Sequence, residues 1–198
     1  NYAITKNQLV FFEEIMIGGN TKTRDKVIRR ELKVYEQEVY SRTAMKRGVQ
    51  RLHGLGYFED IKVNTLKGET DDQMILKIDV TEKPTGTLTF GGGFSSQSSV
   101  FGSFSIDQKN LFGRGQTLKA SVDVGVTSQR FDIYFTEPWL FDIPLAAGFN
   151  AFRTRSSFND YGYDKDGLGF RVFASYPIFP RTRLYGSYLY DDSEIDIT

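Results

Sequence analysis

Hydrophobic and polar positions follow two different periods along this chain, and the change comes near residue 84. In QTLKASVDVGV, residues 116–126, Leu118, Ala120, Val122, Val124 and Val126 alternate with Thr117, Lys119, Ser121, Asp123 and Gly125. Successive side chains of a strand point to opposite faces, so this stretch predicts a strand with one apolar and one polar face. Six further segments, 86–94, 99–108, 129–137, 144–153, 167–176 and 182–190, predict strands, most with the same alternation. Phe131, Ile133 and Phe135 oppose Arg130, Asp132 and Tyr134, and Leu168, Phe170, Val172 and Ala174 oppose Gly169, Arg171 and Ser175. The last segment carries Tyr or Leu on both faces, which leaves its orientation open.

Before residue 84 the pattern mixes helix and strand. FFEEIMIGGN (11–20) predicts a strand ending in a Gly-Gly-Asn turn. TRDKVIRREL (23–32) predicts a helix capped by Thr23, with Val27, Ile28 and Leu32 on one face. SRTAMKRGVQRLHGLG (41–56) predicts a second helix. Ser41 is its cap, Met45, Val49 and Leu52 its buried side, and Gly54 or Gly56 its stop. YFEDIKVNTL and DQMILKIDVTE predict two more strands, with Met74, Leu76, Ile78 and Val80 facing inward in the second. The order is β-α-α-β-β over residues 1–83, an α+β domain, followed by about seven antiparallel strands over 84–198.

The apolar face of those strands covers either a soluble core or lipid. Strands of about ten residues suit a tilted membrane crossing, where soluble sheets average about five or six. The connections SSQS, TSQ and the long polar RTRSSFNDYGYDKD alternate with KNLFGRG, EPWLFDI and PIFPRT. The second set carries Phe112, Trp139, Phe141 and Phe179, which fit an aromatic girdle at a membrane interface. The expectation is a transmembrane β-barrel, with Val122 toward lipid and Lys119 and Asp123 toward a polar lumen. Seven strands are fewer than the eight of the smallest bacterial barrels, so the barrel is incomplete in this sequence. A soluble β-rich adhesion or binding module is the competing class, and it predicts stability without detergent.

Composition narrows the chemistry. Twenty-five basic and 25 acidic residues leave no surplus that points to nucleic acid. There is no Cys, and the one His, His53, builds no His-based metal cluster. GGGF (91–94) opens no helix, so it makes no phosphate loop for a nucleotide. Asp160, Asp164 and Asp166 lack the spacing and closing Glu of an EF-hand. No catalytic arrangement appears, and the expectation is a non-enzyme without a cofactor. The chain starts at Asn1 with no visible signal peptide, which suggests numbering from inside a longer precursor.

IMIGGNTKTRDKVIRREL, RLHGLGYFEDIKVNT and LKIDVTEKPTGTLTFGGGF, in that order, resemble the BamA family of outer-membrane β-barrel assembly proteins. IDQKNLFGRGQTLKASVDVG and FTEPWLFDIPLAAGFNAF resemble that family's next barrel strands and turns. The resemblance implies that residues 1–83 are the last periplasmic POTRA domain and 84–198 the N-terminal part of the barrel. It implies assembly and insertion of β-barrel proteins into the bacterial outer membrane, next to lipid and to unfolded client chains. It also implies that the first barrel strand, Thr87, Leu88, Thr89, Phe90, Gly91, Gly92, Gly93 and Phe94, is a lateral gate that templates a client strand. Glycine weakens a strand, which favours opening there, although it equally permits close packing of neighbours. Arg29 and Glu36 match a charged surface that docks an accessory periplasmic lipoprotein of the BamD kind. A secretion pore of the two-partner type and a TamA-like assembly factor are the alternatives within the superfamily.

Overall fold

A computed structural model describes residues 9–95, 99–158 and 161–197 and groups the chain into two units. One runs to Thr85 and includes Phe112–Arg114; the other holds Gly86–Leu111 and the residues from Gly115 onward. Residues 1–8 and most of SSQS lie outside the described residues, as does Asp160.

The first unit contains β1 (Phe11–Gly18), α1 (Asp25–Leu32), α2 (Arg42–Leu55), β2 (Phe58–Lys67) and β3 (Gln73–Glu82). Its sheet has the order β1-β3-β2, with β1 parallel and β2 antiparallel to β3. The inward residues of the central strand, Leu76, Ile78 and Val80, meet Val27, Ile28 and Leu32 of α1 and Leu52 of α2 in one core. Each such side chain contributes about 1.5–3 kcal/mol by leaving water. Gly48 is buried between the helices, and a Cβ there would stand 2.5 Å from the Leu32 carbonyl oxygen. The two helices approach too closely for any side chain at that point.

Ser41 caps α2 by accepting a hydrogen bond from Ala44 N–H at 3.3 Å, and Gly56 ends it in the left-handed conformation at φ 71°. Thr23 does not cap α1. Arg24 holds the cap position without a side-chain bond, and Thr23 is buried with its N–H donated to Glu82 Oε1 at 2.6 Å. The Glu82 carboxylate also holds the Thr23 side chain, which takes it from the cap, and Lys22 N–H and Thr21 Oγ1 donate to it, each at 2.9 Å. It thereby ties the β1–α1 loop to the end of β3.

Burial pushes the Glu82 carboxyl up, but the hydrogen bonds from Thr23, Lys22 and Thr21 outweigh it and hold the group below its usual range. A depressed folded pKa stabilises the fold above the unfolded value, about 4.3, and that stability is lost as pH falls through the folded value. Urea titrations between about pH 6 and pH 3 should therefore show a steeper acid loss for the native chain than for Glu82→Gln. Equal slopes would remove Glu82 from the acid response.

The second unit is a meander of seven antiparallel strands in sequence order: β4 (Gly86–Ser95), β5 (Ser99–Leu111), β6 (Gln116–Gly125), β7 (Ser128–Glu137), β8 (Ala146–Phe158), β9 (Tyr163–Phe179) and β10 (Thr182–Ile197). Directly paired residues share a face, so the register sorts every side chain. Leu88–Ile106–Ala120–Ile133–Ala151–Phe170–Tyr190 runs across one face, and Thr89–Ser105–Ser121–Asp132–Phe152–Gly169–Asp191 across the other. The open question of the last strand is settled by pairing. Leu184, Tyr188 and Tyr190 join the apolar face, and Tyr185 and Leu189 the polar one.

RTRSSFNDYGYDKD is not a long loop. β8 continues to Phe158 and β9 starts at Tyr163, so most of it is paired strand. The apolar face changes character there. Arg153, Arg155, Asp166, Asp192 and Glu194 replace aliphatic residues, and Arg153 donates to Asp166 from Nε at 3.2 Å and Nη2 at 2.7 Å. Pairing satisfies the backbone of a strand whatever side chains it carries, which is why alternation alone ended it too early.

Candidate functional site

Strand β4 lies at the rim of the seven-stranded sheet and pairs with β5 over ten residues without a bulge. Among the described residues its other edge has no strand partner. Leu88, Phe90 and Phe94 are exposed on the apolar face, with Thr87, Thr89, Gly91 and Gly93 on the polar one. The structure thus brings all eight predicted gate residues into one continuous strand. None of Gly91, Gly92 and Gly93 has a positive φ, so no turn requires them. A Cβ on Gly91 would stand 2.6 Å from the Ser103 hydroxyl oxygen, and one on Gly93 3.1 Å from the Phe101 ring.

Arg29 and Glu36 are brought together on the first unit. Arg29 Nη1 donates to Glu36 Oε1 at 3.3 Å, and its Nε to Asp25 Oδ2 at 2.5 Å. The pair also clasps the β1 backbone. Arg29 Nη2 donates to Ile15 O at 2.8 Å, and Ile15 N–H donates to Glu36 Oε1 at 3.3 Å. Just beside it, Gln37 and Tyr40 donate their N–H groups to Phe12 O and Val10 O, and Phe12 N–H donates to Glu38 O. These contacts cover the outer edge of β1, while β2 leaves its own without a strand partner among the described residues.

The four predicted interface aromatics sit in or beside the β5–β6, β7–β8 and β9–β10 connections, which alternate with the other connections of the meander. Phe112, Phe141 and Phe179 are exposed, and Trp139 is half-buried. Phe112 and Phe141 adopt φ values of 53° and 58°, a region that phenylalanine rarely enters. Nothing in the local sequence signals this. His53 is exposed in the last turn of α2, and no group of three or more His, Cys, Asp or Glu residues fit to hold a metal occurs among the described residues.

Two family models match. POTRA, described as a surface antigen variable number repeat, covers residues 10–83, and the Omp85 superfamily domain covers residues 110–197. The chain joins a POTRA domain to an Omp85 superfamily domain. Its first unit is a POTRA domain, and its second supplies strands of an unclosed Omp85 barrel. The outer membrane protein assembly factor BamA of Neorickettsia risticii is 29% identical over 188 residues, which is 94% of this chain and 25% of that protein. The protein of the same name in Nitratidesulfovibrio vulgaris is 28% identical over 98% of this chain and 24% of its own length. The chain therefore spans about a quarter of the curated relatives it matches. BamA from Haemophilus ducreyi lacking POTRA domains 1–3 has the same fold, with a TM-score of 0.80 at 23% identity over 94% of this chain and 36% of that one. CdiB from Acinetobacter baumannii aligns at a TM-score of 0.64 and 14% identity, covering 96% of this chain and 39% of its own.

Proposed function

We propose that this Omp85 segment belongs to a protein that assembles β-barrel proteins into the outer membrane, with β4 as the template for an incoming client strand. The protein sits in the outer membrane with its POTRA domain in the periplasm. The observation that carries the proposal is β4 itself, a glycine-rich strand that directly follows the POTRA domain and forms the first strand of the sheet. An unsatisfied backbone group in hydrocarbon costs several kcal/mol, so a client strand is strongly favoured against the outer edge of β4 once the seam parts. Its main-chain groups supply affinity and alternate side chains the register. The exchange needs no nucleotide and no catalytic residue.

The POTRA domain offers β2 as a second edge for extended client chains. Glu36 is the charge we assign to docking a BamD-like lipoprotein. Any cationic partner that takes it competes with Arg29 and with the Ile15 N–H. Phe112, Trp139, Phe141 and Phe179 place rings at the headgroup layer.

The chain has no Cys, so single cysteines from Thr87 to Phe94 stand on a clean background within it. Trapping against cysteines in the last strand of a stalled outer-membrane client should give disulfides at alternate positions in one register. Capture of a passing chain at Lys119 or Asp123 instead, with none on β4, would make the protein a secretion pore.

A further inference from the structure

One side-chain arrangement recurs three times on the polar face of the sheet. Phe152 stands directly opposite Gly169, Phe173 opposite Gly148, and Phe101 opposite Gly93. In each pair the ring lies over the glycine. A Cβ on Gly169 would overlap the Phe152 ring, one on Gly148 would come 2.6 Å from Phe173 Cζ, and one on Gly93 3.1 Å from Phe101 Cζ. The first two pairs join interior strands. The third joins β4 to β5, and the apolar face of the same strand pair carries a second ring contact, Phe90 on Phe104 at 5.1 Å between centroids.

These two contacts act on a strand whose backbone specifies little. Glycine-rich strands slip in register, because few side chains distinguish one pairing from the next. A slip of one residue sets Phe90 opposite Ser103 or Ser105 and turns its ring to the polar face. A slip of two keeps the faces but breaks a contact. In one direction Phe101 moves over Gly91 and Phe104 loses Phe90 for Leu88; in the other Phe101 meets Ser95 and Phe104 meets Gly92. Only the observed register satisfies both rings at once.

We infer that Phe101 is a positioning residue. Together with Phe104 it sets the register of β4 against β5 and keeps that side of the strand closed. The glycines therefore loosen β4 on its outer edge alone. A template has to hold its own register before it can impart one, and in this respect the inference rests on the templating role proposed above.

The test uses the full-length protein in membranes. Thr89→Cys with Ser105→Cys reports the observed register, and Thr89→Cys with Asp107→Cys reports the slip of two that sets Phe101 against Ser95. With Phe101 present, only the first pair should oxidise. Phe101→Ala should raise the second pair at least tenfold, and Phe101→Tyr, which keeps the ring, should restore the first alone. Phe101→Leu serves if the alanine variant does not reach the membrane. An unshifted 89–105 pair in both the alanine and leucine variants overturns the inference. Client disulfides to β4 should also spread to positions two residues apart in Phe101→Ala, with total capture unchanged. A shifted β4–β5 register without client capture, even in the parent, would sink templating and leave the positioning role standing.

Discussion

Val122→Arg should cost the membrane-embedded sheet about 2–4 kcal/mol, the penalty for a cation on the lipid face near the bilayer midplane. Val122 pairs with Phe104 on one side and Phe131 on the other, in the middle of the apolar face. Ser121→Arg, one residue away, points to the other face between Ser105 and Asp132 and should stay within about 0.5 kcal/mol. Urea unfolding in lipid vesicles compares the two directly. The paired design matters because an arginine also adds bulk and charge, and only the face differs between neighbouring positions. Equal losses at 121 and 122 would mean that the apolar face does not meet lipid.

Leu76→Ala should remove about 3 kcal/mol from the POTRA domain. Leu76 is fully buried on the central strand, with Ile15 of β1 and Thr65 of β2 as its cross-strand partners. Truncation takes away transfer energy and leaves a cavity that strands held on both sides close poorly. A domain of this size is stable by roughly 4–11 kcal/mol, so the loss is a large share of the total. Amide exchange in β3 and α1 should speed up at least 100-fold, at about 1.4 kcal/mol per factor of ten. Leu66→Ala, at a half-exposed position of β2, should change it little. Similar acceleration in both variants would show that the core is not centred on β3.

Much of this architecture is written locally. The helical spacing of Val27, Ile28 and Leu32 places them in the core, and so does the alternation of Leu76, Ile78 and Val80. Ser41 has the side chain that caps a helix, and it caps one. Thr23 has it too, and loses the role because Glu82, 59 positions away, engages its side chain as well as its N–H. Strand lengths show the same divide. Residues 116–125 alternate and form β6 as expected, whereas in the outer parts of β9 and β10 the apolar face gives way to Asp166, Asp192 and Glu194, and these parts exist because each pairs with the other.

The candidate site divides along the same line. GTLTFGGGF is recognisable as an unusual strand from its glycines alone. That Arg29 and Glu36 close on the Ile15 backbone is not, because a strand, a helix and the turn beyond it must first be assembled. Nor does any local pattern set Phe101 over Gly93, or turn the ambiguous Tyr188 to the apolar face. Alternation, capping and glycine content are properties of a few neighbouring residues, and the chain carries them before it folds. Register, edge coverage and the donor that each carboxylate finally holds depend on partners distant in sequence, so they arise only when the sheets form.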